Sequence, residues 1–181
     1  MALLTSKQRI NTNKTSALKN VFLISLLTGT LDALAAILLN VKMNTITHLS
    51  LFWAQLKIIA EFIFRFIASG AFGKAAFQPG NEMVSSGIFF HYIIAFLFTT
   101  VYYQLYPVFK VAFKNKWVIG IFYGVLCWVI MNMAVVPLSK IGYHPIKLRF
   151  ILSGMAALVI CVGLPIALIA DRHYLKSKKS I

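Results

Sequence analysis

Acidic side chains are the scarcest chemistry in this sequence. Four Asp and Glu stand against eighteen Lys and Arg, and charged residues of both signs make up 12% of the 181 positions. So little charge cannot cover a soluble globule, whose charged fraction is near about 25%. Cysteine is scarcer still. Cys127 and Cys161, the two present, both fall inside apolar runs, where they suit neither a disulfide framework nor a zinc site and read as small packing residues. No nucleophile motif is visible. Gly73-Lys74 invites comparison with a phosphate-binding loop, but Gly70 is wrongly spaced and Ala75 stands where Ser or Thr must hold magnesium. These absences exclude nucleotide binding, and they lead us to expect no enzyme, no cofactor and no metal.

Apolar sequence is what the chain has instead, at 60% of its residues, gathered in several runs near the length that crosses a bilayer. The net charge of +14 lies in the tails and short connections rather than in an aromatic-interleaved patch, so nucleic acid is not the expected partner. Anionic lipid headgroups are, together with a second copy of the chain or another membrane protein.

In chain order, residues 1–20 read as a basic tail without hydrophobic periodicity. A first span covers about 21–41, and the run continues past the Ala33-Leu34-Ala35 that could mimic a signal-peptide cleavage site, so it is read as a retained helix. Along it Ser25, Thr28, Gly29, Asp32, Ala36 and Asn40 recur three and four apart, which gathers small and polar groups on one face. Residues 51–69 are long enough to span, but Lys57, Glu61 and Arg65 form a stripe of charge that roughly cancels the surrounding apolar gain. They are read as an interfacial or re-entrant amphipathic helix, with Glu61 able to pair with Lys57 and Arg65. A Gly-rich connector through Lys74 and the Pro79-Gly80 pair follows. The remaining spans cover about 84–106, 117–138 and 150–170. Tyr102, Tyr103 and Tyr106 read as an interfacial aromatic belt ended by Pro107. Gly120 and Gly124 stand in the spacing that lets helix backbones approach closely, and Gly154 shares a face with Ala157, Cys161 and Pro165. Gly163-Leu164-Pro165 predicts a kink. Between the third and fourth of these spans lies a short loop with Lys140, His144, Lys147 and Arg149. Residues 171–181 read as a second basic tail.

With four spans, Lys and Arg in the tails and the 110–116 loop outnumber those elsewhere by eleven to seven, which favours cytoplasmic tails. Alternating helix direction then fixes depth. Asp32 falls near the midplane, and His91 and Asn132 fall about 6–7 Å from it in one half of the bilayer. Lys74 and the start of the fourth span, with Ser153 and Gly154, lie on the same side. The expectation is a polar cluster of Asp32, His91, Asn132 and Lys74 in a cleft opening away from the tails. An intramembrane acid is a functional-site hypothesis, but three readings compete: polar packing glue between helices, a proton or ion relay through Asp32 and His91, and a site for a lipid headgroup or small ligand.

The segments Gly29-Thr30-Leu31-Asp32, Ala68-Ser69-Gly70 with Gly73-Lys74-Ala75-Ala76-Phe77, Met131-Asn132 with Val136-Pro137-Leu138, and Gly163-Leu164-Pro165-Ile166-Ala167-Leu168 resemble small bacterial inner-membrane proteins of the YagU-like kind. The resemblance covers most of residues 21–170. It implies a bacterial inner membrane and a four-helix architecture, and it brings no site residues with it. The expected protein is therefore an all-α, multi-pass inner-membrane protein with both termini cytoplasmic: first a structural or partner-binding bundle with a polar intramembrane cluster, alternatively a proton- or ion-coupled small-solute transporter or stress-related membrane protein using Asp32 and His91.

Overall fold

The computed structural model describes residues 2–41, 49–142 and 145–178, with side chains described over 18–41, 50–142 and 145–172. Lys42 and His144 lie outside the described residues, as do Lys179 and the side chains of Lys7, Arg9, Lys14, Lys176 and Lys178. All regular structure among the described residues is helical: α1 (Ala2–Leu39), α2 (Leu49–Phe72), a 3-10 turn (Gly73–Phe77), α3 (Glu82–Ala112), α4 (Lys116–Ile130), α5 (Leu148–Leu158) and α6 (Leu164–Lys178). A π-helical turn (Met131–Val135) joins α4 to a last helical turn (Val136–Leu138), and a second (Val159–Gly163) joins α5 to α6. Four stretches are long and apolar enough to cross a membrane: Leu18–Leu39, Glu82–Ala112, Lys116–Leu138 and Leu148–Arg172. The protein is thus an all-α bundle of four membrane-length helices with α2 added.

Large apolar side chains face outward along these helices as well as filling their core, and buried polar groups lie among the small residues. On α1, Ser25 and Thr28 are buried, while Phe22, Leu27, Leu34 and Leu38 are exposed. Their hydroxyls are satisfied within the helix, Ser25 donating to the Phe22 carbonyl at 2.7 Å and Thr28 to that of Ile24 at 2.9 Å, as an apolar solvent demands. Helix α1 runs through the segment read as a basic tail, so the polar N-terminal sequence continues the span's helix.

Both π-helical turns end two residues before a proline, Pro137 and Pro165. Proline lacks the N–H that would reach the carbonyl four residues back, and its ring crowds that carbonyl. A wider turn relieves the clash without breaking the helix. The kink expected at residues 163–165 therefore takes the form of an expanded turn, Val159–Gly163, that runs into Leu164 and Pro165.

Helix α2 is 24 residues long. Its charged stripe does not neutralise itself as expected. Lys57 and Glu61 stand 3.9 Å apart and largely exposed, a weak pair. Arg65 turns instead to the connector, donating to the carbonyls of Ala76 at 3.0 Å, Gln78 at 2.7 Å and Gly80. A guanidinium presents its donors in a fixed fork, so one side chain gathers three carbonyls of a loop that has no ladder of its own.

Helix α3 continues past Pro107 to Ala112, which corrects the boundary expected near Tyr106. Tyr102, Tyr106 and Phe109 form a stripe three and four apart that is buried with Tyr123 of α4, Ile166 and Ala167 of α6, and Ile24 of α1. That packing outweighs the helix-breaking tendency of an interior proline, about 3 kcal/mol. Tyr102 and Tyr106 are consequently not part of an interfacial belt, while Tyr103 is half-buried. Tyr102 and Tyr106 are 0% and 3% exposed, because the helix they were expected to end carries on and keeps them inside the bundle.

Candidate functional site

A cavity of about 1050 Å³ occupies one half of the bundle, bounded by α1, α2, α3, α4 and α5. It reaches from a floor at Cys127, Leu158 and Val162 to the helix ends that carry Asn40, Ser139 and Lys147. Its walls are mainly apolar and aromatic, with Phe66, Phe90, Phe98 and Trp128 among them. We call this the cavity end, and the opposite pole, at the turn between α3 and α4, the α3–α4 end.

Asp32, His91 and Asn132 all line the cavity. The spacing along α1 puts Asp32 one turn from Gly29 and Ala36, so its carboxylate leaves the helix on the small-residue face. Asp32 is half-buried and forms no ion pair or hydrogen bond among the described residues. His91 stands within electrostatic reach of the carboxylate but makes no hydrogen bond or ion pair with it. Its Nε2 lies 2.8 Å from the Gly29 carbonyl, and since a carbonyl only accepts, Nε2 carries a proton and donates. Edge contacts with Phe64 and Tyr92 fix the ring. The same seam is tightened by Thr30 and Tyr92, whose hydroxyl oxygens lie 2.9 Å apart. Asn132 sits in the first π-helical turn and donates from Nδ2 to the Trp128 carbonyl at 2.9 Å. The imidazole and the amide are therefore engaged with backbone, while the carboxylate is not.

Lys74 does not join them. It lies exposed on the 3-10 turn and does not line the cavity, because the carbonyls gathered by Arg65 draw the connector back along α2. The cations at the cavity are Lys147 and Arg149, exposed on its rim where the loop enters α5. Ser153 and Gly154 also line it.

The three glycines read as packing positions lie on one seam, where α4 meets α5 and α6. A Cβ on Gly124 would stand 2.5 Å from the Val159 Cα, and one on Gly163 2.1 Å from the Gly120 carbonyl oxygen. Real side chains do not approach so closely, so the α4 backbone lies directly on the second π-helical turn. Gly154 faces the Trp128 indole. The Gly120 and Gly124 face is occupied from within the chain.

One carboxylate escaped the sequence reading. Asp171, assigned to the C-terminal tail, is 5% exposed. It accepts from the Tyr106 hydroxyl and from Lys110 Nζ, each at 2.6 Å, with Lys116 Nζ at 3.8 Å. Its only local signal was an acid one residue past an apolar run, followed by Arg172; its partners are more than fifty residues away in sequence. Among the described residues no group of His, Cys, Asp and Glu has a metal-site arrangement. No protein-family model, curated protein or solved structure matches this chain.

Proposed function

We propose that this chain is a membrane-embedded carrier in which Asp32 takes, by turns, a proton and a small lipophilic cation. The observation that carries this reading is the Asp32 carboxylate, on the wall of a cavity of about 1050 Å³ with no hydrogen bond or ion pair among the described residues. A carboxylate in a low-dielectric setting either holds a proton or finds a cation. His91 is hydrogen-bonded to a backbone carbonyl and Lys74 lies outside, so among the described residues no side chain closes an ion pair with Asp32. Aromatic walls suit an organic cation, which gains from ring faces as well as from the acid. Lys147 and Arg149 at the rim are placed to reach lipid phosphates. The bilayer, with its anionic headgroups, is the expected surrounding, and the bacterial inner membrane with both tails cytoplasmic remains the proposed setting.

A purely structural or partner-binding bundle is the competing reading. The internal use of the Gly120 and Gly124 face argues against partner binding through that motif, and a packing role would leave Asp32 bonded across helices, as Tyr106 is to Asp171. The test is titration of tetraphenylphosphonium into the full chain in nanodiscs of neutral lipid. Saturable binding with release of roughly one proton per cation is expected below the pH at which Asp32 ionises, by proton linkage. Asp32→Asn should abolish it. Equal binding by Asp32→Asn, or no saturable binding by the parent, would sink the proposal.

A further inference from the structure

The cavity stops halfway, and what stops it is a layer of tyrosines. Beneath the floor, Tyr123 lies one helical turn from Cys127 on α4, and its hydroxyl donates to the Phe98 carbonyl at 2.6 Å. The Tyr123 and Tyr102 rings meet edge-on with centroids 4.7 Å apart, and Tyr102 and Tyr106 follow at 5.7 Å. Tyr106 then donates to Asp171, which Lys110 also holds. Cys127 and Lys116 are eleven residues apart on α4, so this column covers about 16 Å, half the thickness of a hydrocarbon core.

Its composition is unusual for a layer whose task is only to fill space. Phenylalanine would fill the same volume, yet three of the rings carry hydroxyls. The hydroxyl of Tyr102, on a residue with no exposed surface, has no hydrogen-bond partner among the described residues, and neither does that of Tyr103. Buried hydroxyls in settled packing are almost always bonded. One left without a partner fits a group that is satisfied in a second arrangement, when water or solute reaches it.

We infer that the tyrosine layer is the closed half of a passage that continues the cavity to the α3–α4 end, and that the Asp171 contact with Tyr106 and Lys110 holds it shut. The contact ties α6 to α3, and Lys116 adds α4; parting these three helices would open the column along the Tyr102 and Tyr123 hydroxyls. The two expanded turns before Pro137 and Pro165 lie beside the cavity on α4 and between α5 and α6, where a helix that has already left regular geometry bends most readily. This inference rests on the carrier reading, for which it supplies the second door.

The test uses a single-cysteine protein, Ala157→Cys with Cys127 and Cys161 replaced by Ala, in proteoliposomes. Ala157 lines the cavity. A membrane-impermeant thiol reagent is applied from either side. From the cavity end it should react in every variant, which reports that the bundle is folded. From the α3–α4 end the parent should be nearly unreactive, and Tyr106→Phe, which keeps the ring and removes the hydroxyl, should react about tenfold faster, with Asp171→Asn faster still. Equal rates from the α3–α4 end in all three proteins, or a parent already reactive from that end, overturn the inference. Tetraphenylphosphonium binding is measured separately on the same proteins, so failure of the gate and failure of the Asp32 site give different results.

Discussion

Asp32 and Asp171 are chemically identical side chains placed at opposite ends of the same problem. Asp32 sits in the middle of an apolar run with a cavity before it and no hydrogen bond or ion pair among the described residues. Asp171 sits at the edge of an apolar run and is held by a phenol and two ammonium groups. The second arrangement stabilises a fold, because the donors offset the cost of taking the charge out of water and tie three helices together. The first does not, and an ionisable group kept where it contributes no contact is the kind of placement that function explains better than stability. The two halves of the bundle differ in the same sense: closed and tightly bonded around Asp171, open and sparsely bonded around Asp32.

The comparison can be broken most severely at the seam that supports both halves. Gly124→Leu drives a side chain into the Val159 backbone, where even a Cβ would be 2.5 Å from a Cα. Its cost should exceed about 3 kcal/mol, beyond ordinary overpacking, because backbone has nowhere to move. Thermal unfolding in detergent followed by tryptophan fluorescence should show loss of the cooperative transition or failure of the protein to accumulate. A Gly124→Leu protein as stable as the parent would mean that α4 does not lie on the turn between α5 and α6.

Asp171→Asn comes next. It removes charge from a buried acceptor with two short bonds, and hydrogen bonds to charged groups contribute about 1.5–3 kcal/mol, so a loss of about 2 kcal/mol is expected in the same assay. The partners should rank by geometry. Lys110→Gln, which removes the contact at 2.6 Å, should cost about 1 kcal/mol. Lys116→Gln, which removes one at 3.8 Å from a side chain 39% exposed, should cost less than about 0.5 kcal/mol and become undetectable at high salt. A reversed order would show that the cluster is held by longer-range charge rather than by the Tyr106 and Lys110 bonds.

The difference between the two acids also explains which parts of the molecule were legible in the sequence. Asp32, His91 and Asn132 could be brought together because each lies inside a long apolar run, where rise per residue and helix direction fix depth. The four membrane-length helices follow from the same runs. Lys74 could not be placed, because a connector takes its course from tertiary contacts, here the three carbonyls that Arg65 gathers. Tyr102 and Tyr106 were misassigned for a related reason. Pro107 has the local signature of a helix end, and only packing against Tyr123 and Ile166 overrides it. Asp171 was hidden altogether. An acid beside basic residues at the end of a span looks like tail, and the partners that bury it sit 61 and 65 positions upstream, where no pattern links them to it.

The smallest expected effect on stability is the most informative about function. Asp32→Asn keeps the shape of the side chain and breaks no hydrogen bond or ion pair among the described residues, so the transition midpoint should stay within the change of a neutral substitution, about 0.5 kcal/mol either way. A loss as large as that of Asp171→Asn would mean that Asp32 is bonded across helices after all, and the packing reading would replace the carrier. An unchanged midpoint together with lost cation binding separates the two acids as the fold arranges them, one holding helices and the other left for something the protein does not itself provide. An amide has one further consequence. It cannot exchange a proton for a cation, so Asp32→Asn should also abolish the pH dependence of whatever residual binding the aromatic walls retain.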